Sequence, residues 1–291
     1  MICHIYPREA STGKILYTPE DIAWAVRCAV EAGADAVHPG YGFLAENAPF
    51  AKALEDPGIP FIGLPASAID AMGPKTMARE LMQAAGVPIV PGTTETVETF
   101  EDAMKIAKDD IGFPVAVKAA GGGGGKGFRV ALTEDELEGA FEGASREGEK
   151  FFSDGRVYLE RYLPNPRHVE VQIIADRHGN CIHLGERDCS VQRRHQQLLE
   201  EAPAPVVEAD PGLRERIGEI GVNAAKAVDY VGAGTIEGML QGDEYFFLEM
   251  NTRVQVEHCV TEMTTGVDIV REGILAAVSY THLTLPTIYS V

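Results

Sequence analysis

Five consecutive glycines, Gly121–Gly125, stand between two strand-like segments, FPVAVKAA before them and GFRVAL after. Ordered glycine loses more backbone freedom than any other residue, so such a run persists where the chain must pass very close to something. Two familiar loops are excluded. A Walker A loop would need Gly where Ala120 stands and Ser or Thr where Gly127 stands. Gly122–Gly127 does satisfy GxGxxG, but a strand follows it, so a dinucleotide fingerprint lacks its helix. Strand, glycine loop, strand describes a flap whose backbone N–H groups can fold over phosphates. Lys118, at the end of the first strand, is placed to reach one. The bland alternative is a surface hairpin.

The flanking segments set the architecture. Residues 19–33 carry apolar positions at helical spacing, with Pro19 at the start and Gly33 at the stop. ADAVHPG reads as a short buried strand, Ala48–Leu54 as a helix and IPFIGL as another strand, an α/β layer whose first strand would precede Met1. Lys75–Gly86 is expected to be helical after the Met72-Gly73-Pro74 breaker, and VPIVPG is a Pro-bounded connector. Phe100–Lys108 reads as helix. TEDELEGAFEGASRE reads as a second one, opened by a Thr133–Glu136 capping box. VYLERYL, HVEVQIIAD and CIHLGERD read as strands, Leu213–Val228 as a helix, and GAGTIEGML with YFFLEMN as a hairpin. The fold class expected is α/β followed by α+β with antiparallel strands.

The chain has 291 residues and a formal charge of −19, with 45% apolar residues. Its acidity excludes general binding to nucleic acid or anionic membranes, which needs a basic face, and no apolar run is long enough to span a bilayer. Five cysteines, odd in number and without CxxC, read as reduced thiols in a cytoplasmic protein, and no leader precedes the first helix. Residues 278–291 (VSYTHLTLPTIYSV) contain no charged side chain, against about one in four over the rest. Their first six residues look like a translated sequencing adapter. The segment is read as adapter-derived and set aside from the fold.

Three further segments carry chemistry. His168, Glu170 and Gln172 alternate with apolar residues and share one strand face, whose bland reading is a solvent-exposed sheet face. Arg187 to Gln196 concentrates Arg187, Arg193, Arg194 and His195, a candidate anion site or a salt-bridged loop with Glu200 and Glu201 behind it. Glu249, Asn251, Arg253, Gln255 and Glu257 alternate likewise. A hairpin turn centred on Asp243 puts Glu237 directly opposite Glu249. Like charges so placed are destabilising unless a cation sits between them. Glu237, Glu249 and Asn251 offer only oxygen ligands, which suits Mg²⁺ or Mn²⁺. A one-residue slip would separate the carboxylates; the bland alternative is an ordinary charged hairpin.

A flap, a lysine before it, an oxygen-only metal pair and a basic segment make a site for Mg-nucleotide chemistry. On HPGYGFLAEN (38–47), KAAGGGGGKG (118–127), NPRHVEVQ (165–172), ERDCSVQRRHQ (186–196), EEAPAP (200–205) and EMNTRVQVEHCVTE (249–262), the chain resembles the biotin carboxylase component of acetyl-CoA carboxylase and its relatives, an ATP-grasp family. The resemblance covers Met1–Ala277. It implies a partial Rossmann-like pre-ATP-grasp domain over 1–74 and an ATP-grasp domain over 75–277, with a flap subdomain at about 90–162. It further implies that Lys75, Lys118, Gly124, Gly125 and His168 contact ATP, and that Glu160, Arg161, Tyr162, Leu163, Gln192 and His195 lie along the adenine. Glu237 and Glu249, supported by Asn251, would hold Mg²⁺. Arg253, Gln255 and the Val256 backbone would bind bicarbonate, Glu257 would be the base, and Tyr41 would lie near the biotin pocket.

The implied reaction is ATP-dependent carboxylation of carrier-bound biotin by bicarbonate through carboxyphosphate, the first half-reaction of an acyl-CoA carboxylase in fatty acid biosynthesis. The implied partners are a biotin carboxyl carrier protein, a carboxyltransferase and a second copy in a homodimer of the parent. Two departures stand out. Gln197 occupies a position where the family usually has Lys, which assists bicarbonate binding or charge neutralisation, and Gln cannot supply that charge. The family's first βα unit and its C-terminal domain, which supplies an arginine to biotin, lie outside this sequence. Other ATP-grasp ligases, carbamoyl-phosphate synthetase-like or amino-acid ligases, lack the RVQVEH continuation after EMN. A degenerate nucleotide-binding module is the non-catalytic alternative, motivated by Gln197 and the missing parts.

Overall fold

The computed structural model describes residues 18–42, 44–122, 125–193 and 196–278. Four helices come first: α1 (Pro19–Glu31), α2 (Ala48–Ala53), α3 (Ala66–Met72) and α4 (Lys75–Ala84). Thr18 opens α1 with a reciprocal capping box to Asp21, and Pro19 occupies the first turn, where its missing N–H costs nothing. Gly33 takes φ +62° just past its end, a conformation that favours glycine. The two strands expected around α2 shrink to a single parallel bridge, Val37 with Phe61, flanked by Val37 N–H donating to Pro60 and Ile62 N–H to Val37, both at 2.9 Å.

A small three-stranded sheet follows. Helix α5 (Phe100–Ile106) runs into a π-helical turn, Ala107–Ile111; then come β1 (Val115–Ala119), β2 (Phe128–Ala131), α6 (Glu134–Phe152) and β3 (Val157–Arg161). Strand β1 lies centrally, antiparallel to both neighbours. Val115, Val117, Leu137, Ala144, Val157 and Leu159 form its core under α6. The capping box expected at Thr133 does not form. Thr133 makes no side-chain cap bond, and the Glu136 carboxylate accepts instead from Leu132 N–H at 2.8 Å. Helix α6 also extends beyond the stretch read as helical, to Phe152.

The larger sheet has the order β6-β5-β4-β7-β8, every neighbour antiparallel. Its strands are β4 (Arg167–Ala175), β5 (Cys181–Arg193), β6 (Gln196–Glu201), β7 (Gly232–Gln241) and β8 (Glu244–Asn251). Helices α7 (Pro205–Glu208) and α8 (Pro211–Lys226) connect β6 to β7, and α9 (His258–Thr265) and α10 (Ile269–Ala277) follow β8. Residues 187–193, expected in a basic loop, instead form the end of β5, and Gln196 opens β6. One apolar core joins this sheet to the first helices: Leu54, Leu64, Ile69 and Met82 pack in the same cluster as Val169, Ile173, Ile236 and Phe247. The core therefore continues across residues 74 and 75. The VPIVPG connector docks on both sheets, Ile89 bridging Phe247 and Gly92 bridging Glu160. A Cβ on Gly92 would fall 2.2 Å from the Leu159 carbonyl oxygen, so this crossing requires glycine. Among the described residues no helix is long and apolar enough to cross a membrane.

Candidate active site

Strands β7 and β8 pair Glu237 with Glu249, as the spacing predicts, by a route the spacing does not show. The turn is tighter than expected, with Gln241 opposite Glu244 and Gly238 opposite Phe247. Leu248 then forms a bulge that restores the Glu237–Glu249 pairing. A bulge beside a functional pair re-aims side chains locally. Each carboxylate has its own basic partner. Lys75, in the first turn of α4, reaches Glu249 at 2.6 Å, and His168 Nε2 lies 2.8 Å from Glu237 Oε2. Asn251 Nδ2 also donates to Glu237. Burial works against charging Glu249, but Lys75 prevails and holds its carboxyl below the usual range. Burial likewise opposes charge on His168, yet the bond to Glu237 and the surrounding carboxylates raise its pKa. Gln192 Nε2 lies 2.9 Å from His168 Nδ1 and fixes the ring. The oxygen-only donor set and the facing carboxylates fit a hard divalent cation.

The polar face of β4 is not solvent-exposed. Glu170 and Gln172 are fully buried. The reason is Arg187, also 0% exposed, which the sequence suggested as part of an anion site. All five guanidinium N–H groups are used inside the protein. Nε donates to Glu170 at 2.5 Å; Nη1 donates to Gln172 (2.8 Å) and Thr261 (2.9 Å); Nη2 donates to Thr235 (3.3 Å) and Gln255 (3.0 Å). Arg187 has no donor left for a ligand. It instead orients Gln255, whose Nε2 donates to Glu237 at 3.0 Å. One amide thus ties Glu237 to the segment after β8.

That segment folds back toward the first helices. Arg253 pairs with Glu46 at 3.4 Å and donates to Asn251 Oδ1 at 3.3 Å. Arg253 and Val254 line one crevice with His38, Pro39 and Gly40. Tyr41, the next residue, is 56% exposed. Val256 is exposed, and Glu257 forms the N-cap of α9. With its amide nitrogen facing them, Gln197 donates to Glu257 at 3.3 Å and to Glu200 at 3.2 Å. Burial raises the pKa of Glu200, and nearby Glu170 and Glu257 add to the effect.

On the other side, Glu160 is buried and gripped by Lys118 and by Arg79, which the sequence reading did not single out. Arg79 lies one turn after Lys75 on α4, so helical spacing could have found it. It also donates to the carbonyls of Val90 (2.9 Å) and Thr93 (3.0 Å), fastening the connector. The guanidinium of Arg161 lies over the Phe246 ring, Tyr162 N–H donates to Pro114, and Leu163 packs with Val90 and Phe246. Gly125 and Gly127 take positive φ, and Gly127 N–H donates to Glu147 at 2.8 Å. Gly124, Arg194 and His195 lie outside the described residues.

A glycine-loop sheet tied through Glu160 and Arg79 to α4, whose Lys75 reaches Glu249 on a larger antiparallel sheet with paired carboxylates, defines an ATP-grasp fold. The family model "Carbamoyl-phosphate synthase L chain, ATP binding domain" matches residues 74–284, and "Biotin carboxylase, N-terminal domain" matches residues 14–69. The chain belongs to the biotin carboxylase family of ATP-grasp proteins. It is 53% identical to Biotin carboxylase 1 of Bacillus subtilis over 84% of this chain and 54% of that protein. It is 51% identical to the biotin carboxylase of Nostoc sp. over 92% of this chain and 59% of that one. The crystal structure of a Campylobacter jejuni biotin carboxylase–βγ-ATP complex superposes with a TM-score of 0.84 at 47% identity, covering 91% of this chain and 60% of that one. The biotin carboxylase domain of Hydrogenobacter thermophilus 2-oxoglutarate carboxylase, in complex with MgADP, ADP and bicarbonate, gives 0.81 at 49%, covering 89% and 56%. The chain thus spans a little over half the length of these relatives.

Proposed function

We propose that the chain carries the ATP- and bicarbonate-handling machinery of a biotin carboxylase, which carboxylates biotin on a carrier protein. The observation that carries the reading is the Glu237–Glu249 pair, tied through Gln255 to the Arg253–Glu257 segment. A nucleotide-only site has no use for the second half of that arrangement.

In this reading Lys75 and Lys118 meet the ATP phosphates, and the Gly121–Gly125 flap closes over them. Glu237 and Glu249, with Asn251, would hold Mg²⁺ or Mn²⁺, which supplies charge to offset the transferring phosphoryl group. His168 and Lys75, now on those carboxylates, turn toward phosphate oxygens. Arg253, Gln255 and the Val256 backbone hold bicarbonate. Glu257 accepts its proton while a bicarbonate oxygen forms a bond to the γ-phosphorus and the bond to ADP breaks. The carboxyphosphate formed breaks into CO₂ and phosphate, and CO₂ forms a bond to the ring nitrogen of biotin near Tyr41 while the proton on that nitrogen passes to the released phosphate. Excluding water protects carboxyphosphate from hydrolysis, which is the purpose of the flap.

Residues 1–74 serve as the partial pre-ATP-grasp domain, 75–277 as the ATP-grasp domain and 90–162 as the flap. The parent is cytoplasmic and dimeric, and passes carboxybiotin to a separate carboxyltransferase. Methylcrotonoyl-CoA, pyruvate and propionyl-CoA carboxylases are among the similar proteins, so the acceptor is chosen by that partner and not by these residues. The test is ATP hydrolysis with Mg²⁺, with and without bicarbonate and free biotin. Stimulation by both supports the reading. Hydrolysis indifferent to both, with ATP bound, overturns it.

A further inference from the structure

We propose a second metal site on this chain, a surface site for a borderline-soft divalent cation such as Zn²⁺, formed by His258, Cys259 and Glu262 in the first turns of α9. No step of the proposed reaction uses these residues. His258 Nε2 lies 3.7 Å from Cys259 Sγ and 3.9 Å from Glu262 Oε1, and one ligand atom from each of the three residues falls within 4.8 Å of the others. A tetrahedral ion with about 2.3 Å to sulfur and about 2.05 Å to nitrogen or oxygen sets its ligand atoms about 3.4–3.6 Å apart. The His258–Cys259 separation needs to close by about 0.1–0.2 Å and the His258–Glu262 separation by about half an ångström, and rotation of the side chains can bring the sulfur and carboxylate together from within 4.8 Å. His258 and Glu262, four residues apart, share one helix face.

The decisive feature is the other imidazole nitrogen. Nδ1 of His258 lies 2.6 Å from the backbone carbonyl of Gln255 and donates to it. That bond places a proton on Nδ1, so the nitrogen that would bind an ion is Nε2, which faces Cys259 and Glu262. A ring N–H anchored on a backbone carbonyl is the usual outer-shell arrangement of a metal-bound histidine. Cys259 is exposed, so an ion can enter, and coordination would release the thiol proton to solvent. Glu262 Oε1 accepts from Ile269 N–H at 2.8 Å, which orients the carboxylate and leaves that oxygen a second lone pair for an ion. Three protein ligands leave a fourth position for water. A thiolate and an imidazole select against Mg²⁺, so this site and the Glu237–Glu249 pair take different ions.

The geometry stands by itself; only its proximity to the base Glu257 rests on the proposed function. Filling the site would clamp the turn from Gln255 to Glu257. The experiment titrates Co²⁺, a spectroscopic stand-in for Zn²⁺, into the full chain in excess Mg²⁺. The expected result is one equivalent bound with a thiolate-to-cobalt charge-transfer band. Cys259→Ser should abolish the band, and Cys259→Ser, His258→Gln and Glu262→Gln should each weaken binding at least about tenfold. Absence of the band, its survival in Cys259→Ser, or unchanged affinity in His258→Gln overturns the site. Because the readout is a spectrum, its failure is separable from a failure of carboxylase chemistry.

Discussion

Replacing Arg187 by methionine is the sharpest test of how the candidate site is held. Met fills much of the same volume but leaves Glu170, 0% exposed, as a buried carboxylate without its cation. Breaking a buried ion pair from one side costs about 3–5 kcal/mol, a large share of the roughly 5–15 kcal/mol that holds a typical domain folded. With a urea dependence of about 3 kcal/mol per molar, the unfolding midpoint should fall by about 1–1.7 M. The far-UV circular dichroism signal reads it. The double variant Arg187→Met/Glu170→Gln removes the stranded charge and should recover at least about 2 kcal/mol, a coupling within the range seen for contacting residues. Arg187→Lys should not rescue fully, because one ammonium cannot reach Glu170, Gln172, Thr235, Thr261 and Gln255 together. A loss under about 1 kcal/mol for Arg187→Met, or no recovery in the double variant, would refute the network.

Other outcomes follow from single contacts. Gln197→Lys puts a positive charge beside Glu257 and Glu200, and should raise kcat/KM for bicarbonate about tenfold, equivalent to about 1.4 kcal/mol; an unchanged value means that Gln197 does not limit the reaction. Glu237→Gln and Glu249→Gln should each weaken Mn²⁺ binding, read by electron paramagnetic resonance, at least about tenfold; equal affinity would remove the pair from the metal site. Burial pushes the Cys181 thiol up to about 12, so it stays protonated until the pH approaches that value. At pH 8 only about one molecule in ten thousand carries that thiolate, and iodoacetamide should label Cys259 while sparing Cys181. Labelling of Cys181 at the rate of an ordinary thiol would contradict the burial.

What was legible in the sequence was local. A hairpin turn placed near Asp243 set Glu237 across from Glu249, and the segments on either side of the glycine run are strands, β1 and β2. The pairing came out right although the turn was misplaced: a two-residue turn at Gly242-Asp243 and a bulge at Leu248 cancel. Bulges have no reliable spacing signature, so that compensation was invisible. Long-range burial was invisible for the same reason. Nothing in HVEVQ says that Glu170 and Gln172 face a guanidinium from the next strand and not water. Arg187 therefore looked like an anion ligand in a cluster of basic residues, when it is a buried strut. Arg79 lay within reach of spacing arguments, one helical turn from Lys75, but its partner Glu160 is 81 residues away. The two short strands around α2 looked complete as sequence and form only one bridge, because strand propensity does not provide neighbours to pair with.

In the proposed reaction bicarbonate attacks the γ-phosphate of ATP at the Arg253–Glu257 segment. Bicarbonate labelled with ¹⁸O, supplied with MgATP and biotin and sampled before its oxygens exchange with water, tests it most directly. The bond formed to phosphorus survives the breakdown of carboxyphosphate, so the account predicts one labelled oxygen in each phosphate released. Phosphate whose new oxygen comes from water would contradict it.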